Sequence, residues 1–307
     1  MAWMSSRLLR VAALGVALGL PRTALADPQH VEWSDSWPRV HLWEVIDSLA
    51  LTFGDTEFED RVPLPSRATW TKPILFDSWA RGVFLGRTAA VQSFASTSTD
   101  IMYKAGALVP FVMDDYFAAL SVHQNAEVAW QLAIIDLQSL GFAGLVSLGA
   151  EHSVGRMRPY VLSCGANGVA LDAQGHLLHT CGTSNDFRSF YSGHATSTAT
   201  VAGLVCLHHQ HLPLFGGGFA DLAPCLFMIG VSAATGVLRL TYDEHWASDV
   251  IVGWLDGVLS GYVLPSILHF GLGTGKPIGE VRTGNLDLVP TLLPRAGGAE
   301  LGVVGFF

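Results

Sequence analysis

Charge is scarce in this chain, and positive charge scarcest. Of 307 residues 14% are charged, with 17 Lys or Arg against 26 Asp or Glu and a formal net charge of −9. Every acid lies beyond residue 26, whereas Arg7, Arg10 and Arg22 lie before it, so the remainder carries 14 basic against 26 acidic residues, or −12. That balance excludes a general basic footprint for nucleic acid, and any site for an anion has to be local. Cysteine is sparse too, at four. Cys164 and Cys181 share one polar loop and are expected to form a disulfide, closing a loop of about 17 residues that is worth about 3 kcal/mol in the chain-entropy model. Cys206 and Cys225 fall in apolar helical segments and are expected to be packed thiols.

Long uncharged runs are also few. Ala195 to Ala220 is interrupted by His208, His209 and His211, Leu222 to Leu238 is 17 residues, and Gly257 to Gly275 is 19. These are marginal membrane spans. Asp114, Asp115 and Asp136 interrupt two further helical segments, and the short connections near 122–126 and 211–218 hold no Lys or Arg, so the positive-inside signal is missing. A multi-pass inner-membrane bundle with its site on the periplasmic side is the leading expectation, and a soluble periplasmic bundle is the alternative.

What is present is apolar: 50% of the residues are hydrophobic, enough for a large helical core or a set of membrane helices. Residues 1–26 read as a secretory signal, with Arg7 and Arg10 before an apolar stretch from Val11 to Leu20 and a small-residue cleavage site at Ala24-Leu25-Ala26. Residues 27–72 hold Trp33, Trp37, Trp43 and Trp70 among acids with no long apolar run, and read as an exported arm wrapping the main domain. From 73 to 271 helical periodicity predicts six helices, at about 75–95, 100–121, 126–150, 193–212, 219–239 and 245–270. In the tail, 272–307, apolar residues alternate on both sides of Arg295-Ala296-Gly297-Gly298, which predicts a β-hairpin.

Three short motifs follow one another through the helical part: Gly155-Arg156-Met157-Arg158-Pro159, then Ser192-Gly193-His194, then Arg239 with His245 and Asp249. His245 and Asp249 are four apart, so on a helix they share a face, and the carboxylate can hold one ring nitrogen while the other attacks. Arg239 offers a planar guanidinium to an anion just before that helix. Ser192 and Gly193 open a helix, where backbone N–H groups favour an anion, and His194 placed there can protonate a leaving oxygen. Pro159 is expected to end the third helix and turn Arg158 into the loops. Each motif alone is ordinary. Together they supply two His, two Arg and one Asp of the kinds that phosphoryl transfer uses. The triplet His208, His209 and His211 lies far along the helix from His194 and reads as polar residues of a helix end rather than a metal site. Asp256, seven after Asp249, is expected to make a buried hydrogen bond.

On these motifs the chain resembles the type 2 phosphatidic acid phosphatase family, within a superfamily that includes vanadium haloperoxidases; its signature is K-x6-R-P, P-S-G-H and S-R-x5-H-x3-D. The resemblance implies an all-α helical bundle and a metal-independent phosphoester hydrolase without cofactor. By position it makes His245 the nucleophile, His194 the proton donor, Asp249 the group orienting His245, and Arg158, Arg239, Ser192 and Gly193 the phosphate cradle. The implied substrates are phosphatidate, a polyprenyl diphosphate, a lipid A phosphate or another exported phosphoester. Three positions depart from the signature: Glu151 replaces its Lys, Tyr191 its Pro and Leu238 its Ser. An acid beside a phosphate repels it, so Arg156 or Arg188 is expected to supply the missing charge, or to pair with Glu151 and turn it aside. An inactive membrane-binding or structural module and a vanadate-dependent haloperoxidase are the competing readings, and the missing Lys counts against the latter.

Overall fold

The computed structural model describes residues 31–271, 281–283, 286–295 and 298–306. The signal expected over 1–26 lies outside them. Seven α-helices are found among the described residues: α1 (Leu42–Arg61), α2 (Asp77–Phe84), α3 (Ala89–Gly106), α4 (Ala126–Val154), α5 (Gly193–His211), α6 (Phe219–Thr241) and α7 (Ala247–Val258). π-Helical stretches extend the bundle, Pro110–Val122 beyond α3, and Leu259–Val263 with Ser266–Phe270 beyond α7. Between α4 and α5 the short strands β1 (Val169–Leu171) and β2 (Leu177–Thr180) pair antiparallel. The tail holds β3 (Val281–Thr283), β4 (Leu286–Arg295) and β5 (Gly298–Phe306), in the antiparallel order β3-β4-β5. The all-α class and the tail hairpin are as the sequence predicts, with Arg295 opposite Gly298; β3 is an addition.

Two regions depart most from the periodicity reading. Residues 75–95 are not one helix, because the chain breaks at 85–88, where Gly86 donates its backbone N–H to the Thr241 carbonyl at 2.9 Å. Thr88 then caps α3 by accepting from the Val91 N–H. In the arm, α1 was not anticipated. Its buried residues are Glu44 and Ser48, while Leu42, Trp43, Ile46, Leu49 and Phe53 lie exposed. Polarity is reversed relative to a helix on an aqueous surface, so an amphipathic reading that expects a polar outside passes over it.

α5 is the central helix, packed against α3, α4, α6 and α7. From Ala195 to His209 nearly every residue is buried, polar Thr196, Thr198, Thr200, His208 and His209 among them. Its distal half meets Leu132 and Ile135 of α4, Phe270, and Val31 and Trp33 of the arm in one core cluster. α7 lies close along α5 because Gly253 and Gly257 face it: a Cβ at Gly253 would fall 2.7 Å from the Ser192 carbonyl oxygen, and one at Gly257 2.5 Å from that of Thr196. That approach brings the third motif beside the second.

Four helical stretches are long and apolar enough to cross a membrane: Ala89–Val122, Ala126–Val154, Phe219–Thr241 and Ala247–Phe270. The uncharged run beginning at Ala195 is not among them: α5, an interior helix, carries Thr196, Ser197, Thr198, Thr200, His208 and His209. Asp114, Asp115 and Asp136, which count against spanning in the sequence, all point into the bundle and are buried. Cys164 and Cys181 form the expected disulfide, with Cα atoms 6.3 Å apart. Cys206 and Cys225 are also disulfide-bonded, tying α5 to α6 with Cα atoms 4.5 Å apart, which corrects the expectation of packed thiols. Both sit where their helices touch, so apolar surroundings at each cysteine did not imply separation.

Candidate active site

α4 ends at Gly155, whose left-handed backbone (φ 63°) reverses the chain. The helix therefore stops before Arg156, four residues earlier than Pro159 would stop it. Arg158 follows in extended conformation, its N–H donated to the Asp186 carbonyl at 2.8 Å, and its side chain enters a cavity of about 520 Å³. Around that cavity stand Glu151, Arg158, Arg188, Gly193, His194, Arg239 and His245, together with Tyr103 and Lys104 of α3. All three motifs thus reach one space.

His245 is buried, and its Nδ1 lies 2.7 Å from the backbone carbonyl oxygen of Ser189. A carbonyl only accepts, so Nδ1 carries the proton and Nε2 keeps its lone pair. Burial, reinforced by the guanidiniums of Arg239 and Arg158, holds the His245 imidazole well below its ordinary pKa. It is a neutral base with one free nitrogen, as a nucleophile requires.

Asp249 does not hold His245. The helix begins only at Ala247, with Trp246 as its N-cap, so His245 lies outside it and the four-residue spacing does not put the pair on one face. Asp249 instead accepts from the Trp246 N–H at 2.9 Å and from the Ser189 hydroxyl at 2.7 Å, and it pairs with Arg156. It acts on His245 through Ser189. Arg239 belongs to the last turn of α6, in keeping with the helix expected over 219–239.

His194 is set at the start of α5. Its Nε2 lies 3.0 Å from Asp100 Oδ1, and its ring packs at 4.7 Å on that of Tyr103. Burial, and after it Arg239, pushes the His194 pKa down to about 3, with Asp100 opposing. Ser192 caps α5 by accepting from the Ala195 N–H and is fully buried; Gly193 rather than Ser192 lines the cavity, and a Cβ there would lie 3.3 Å from Glu151 Oε1.

The two arginines expected to replace the missing lysine part company. Arg156 is almost wholly buried, stacked 3.9 Å from the Trp70 ring centre and paired with Asp77 and Asp249, so it braces the wall behind the cavity and does not line it. Arg188 does line it, and pairs with Glu151 while its outer nitrogens reach Glu59 at 2.5 and 2.7 Å. The acid at the motif's lysine position is thereby neutralised by a neighbour.

Five residues of this neighbourhood, Asp100, Tyr103, Lys104, Ser189 and Glu244, carry no signal in the sequence. Asp100 and Lys104 share one face of α3 with Tyr103, a spacing of three and four that pairs them on any helix but carries no chemical signature. Ser189 acts through its backbone as well as its hydroxyl. Glu244 pairs with Arg158 and, at 3.3 Å, with Arg239. His208 and His209, read as polar residues of a helix end, are instead fully buried among carboxylates, while His211 packs against Trp37 and Phe270. Asp256 accepts from the Tyr191 hydroxyl at 3.1 Å; the expected hydrogen bond forms, but Asp256 is half-buried rather than buried.

Residues 133–270 match the family model of the PAP2 superfamily, and the three motifs all lie within that stretch. No curated protein and no solved structure matches the chain.

Proposed function

We propose, on the premise that residues 133–270 belong to the PAP2 superfamily, that this chain hydrolyses lipid-linked phosphoesters through a phosphohistidine on His245. The superfamily supports phosphatase-type hydrolysis of phosphorylated substrates; residue roles, substrate and cellular side are the finer reading. One observation carries it: a neutral histidine with Nε2 free faces the cavity that also takes Arg158, Arg239, Gly193 and His194.

In this reading the phosphoryl oxygens lie against the guanidiniums of Arg158 and Arg239 and the first N–H groups of α5. His245 Nε2 attacks phosphorus and the bond to the leaving oxygen breaks. With Nε2 of His194 held by Asp100, its Nδ1 passes a proton to that oxygen, giving the free alcohol or lipid phosphate. Water then attacks the phosphohistidine, Nδ1 of His194 takes a proton from it, and inorganic phosphate leaves with His245 restored. Every step uses side chains of this chain. Ala107, Leu140, Ala143 and Leu148 make an apolar wall to the cavity, which suits an acyl or prenyl chain. The four apolar stretches would place the bundle in a membrane, with the site on the periplasmic side of an inner membrane.

The purified full chain in detergent should release phosphate from short-chain phosphatidate and from p-nitrophenyl phosphate, equally well during a brief exposure to chelator. Acid-labile label should appear on histidine after a rapid quench with radiolabelled substrate. His245→Ala should lose both while keeping its helical circular dichroism. A folded His245→Ala protein with near wild-type turnover overturns the mechanism, and an inactive wild type points to the structural module.

A further inference from the structure

At the other end of α5, fourteen residues and so roughly 21 Å of helix from His194, lies a second polar cluster. Asp114 and Asp115 come from the π-helical stretch, Asp136 from α4, and His208 and His209 from α5, and all five are buried. Ligand atoms of Asp115, Asp136 and His208 all fall within 4.8 Å of one another. Neither carboxylate oxygen of Asp115 or of Asp136 accepts a hydrogen bond. Two carboxylates taken out of water without donors are costly unless a positive charge stands between them.

The neighbours narrow what that charge is. His208 Nδ1 lies 3.0 Å from Asp114 Oδ2, and its Nε2 lies 3.2 Å from Asp136 Oδ1 without forming a hydrogen bond. An imidazole whose Nδ1–H is donated to a carboxylate presents a lone pair at Nε2, the arrangement that fixes histidine ligands of metals. Lone pair and carboxylates then converge on one point. Asp114 is itself held by His209 Nε2 at 3.3 Å, and His209 by Asp221, which accepts from the Phe215 N–H at 2.9 Å. The supporting partners of the outer shell are complete, whereas the inner oxygens accept no hydrogen bond and have only the His208 ring beside them.

We propose that Asp115, Asp136 and His208 bind a zinc ion that pins the π-helical stretch, α4 and α5 together. A nitrogen donor argues against calcium and magnesium, which take oxygen ligands, and one imidazole with two carboxylates suits zinc, whose charge balances both acids. Bonds of about 2.0–2.2 Å leave a further position open to water. This site stands apart from the phosphatase reading and does not depend on it.

The test is elemental analysis of the untagged full chain in detergent, as purified and after equilibration with zinc. About one zinc per chain is expected. It should be lost in Asp136→Asn and in Asp115→Asn, and kept in the His194→Ala, His245→Ala double variant, which excludes the other histidine pair as the binder. Asp114→Asn, behind the ligand, should weaken zinc affinity by about tenfold to a hundredfold. Should Asp136→Asn fail to fold, Asp115→Asn and Asp114→Asn decide the matter. A wild type that neither retains nor takes up zinc overturns the proposal, as does zinc that persists undiminished in Asp115→Asn. If the wild type holds no zinc and Asp115→Asn melts at a higher temperature, the cluster shares protons and binds no metal.

Discussion

The carbonyl oxygen of Ser189 accepts the Nδ1 proton of His245 at 2.7 Å, and the hydroxyl of the same serine donates to Asp249 at 2.7 Å. The carboxylate is therefore one residue removed from the ring it positions. Asp249→Asn should lower kcat by about a hundredfold, the cost of a misplaced reacting atom, while His245→Ala removes turnover outright. Single-turnover rates of both variants check this. Equal and total loss in each would mean that Asp249 bears directly on chemistry.

Proton uptake should accompany anion binding. Burial and Arg239 hold the His194 pKa at about 3 in the free site, so near neutrality it is unprotonated and unable to donate. A dianion lying against Arg239 and Arg158 cancels the repulsion and raises that pKa, so His194 gains a proton on binding. At about pH 8, where phosphate is a dianion, calorimetry of inorganic phosphate in buffers of different ionisation enthalpy should show net uptake. The uptake should vanish in His194→Ala.

Depressed histidine pKa values also set a stability trend. His245 and His194 both bind protons more weakly folded than unfolded, so protons favour the unfolded chain below about pH 6.5, the free imidazole value. The ligand-free melting temperature should fall as pH drops from there, and less steeply in the double alanine variant.

Arg188 should matter through Glu151. Removing it leaves an unpaired acid on the cavity wall, and Arg188→Ala should raise KM by roughly tenfold or more. Adding Glu151→Gln should recover much of the loss, since the repelling charge goes with it; a double-mutant cycle measures that coupling. Lys104→Ala, at an exposed position of the rim, should raise KM only about two- to fivefold, with kcat unchanged and the effect shrinking in salt.

Thiol counting tests the two cross-links. Unreduced, denatured protein should show no free thiol, and reduction should expose all four cysteines. Two reactive thiols before reduction would restore the packed-thiol reading for Cys206 and Cys225.

What the sequence made legible was set by local spacing. The three motifs, the helical class and the Cys164–Cys181 link depend on residues whose types or intervals are informative in themselves. What escaped depends on contacts between distant elements. Ser189 contributes a main-chain oxygen, which no side-chain pattern reports. Asp100 and Lys104 become meaningful only once α3 lies against α5. α1 is hidden from the sequence because its apolar face turns outward, and Asp114, Asp115 and Asp136 read as interruptions because nothing local says that a charge points inward. The His245–Asp249 spacing misled for a related reason: the helix begins two residues after the histidine.

Glu244 gives the proposed phosphate site a further character. Its carboxylate already engages Arg158 and Arg239, so under the proposed function an arriving anion would exchange with a tenant rather than fill a vacancy. Affinity is then a difference between two anions for the same guanidiniums. In that reading weakly basic, singly charged anions would gain little from the exchange, and released phosphate would have a built-in competitor that hastens its departure. Such a site would discriminate by displacement.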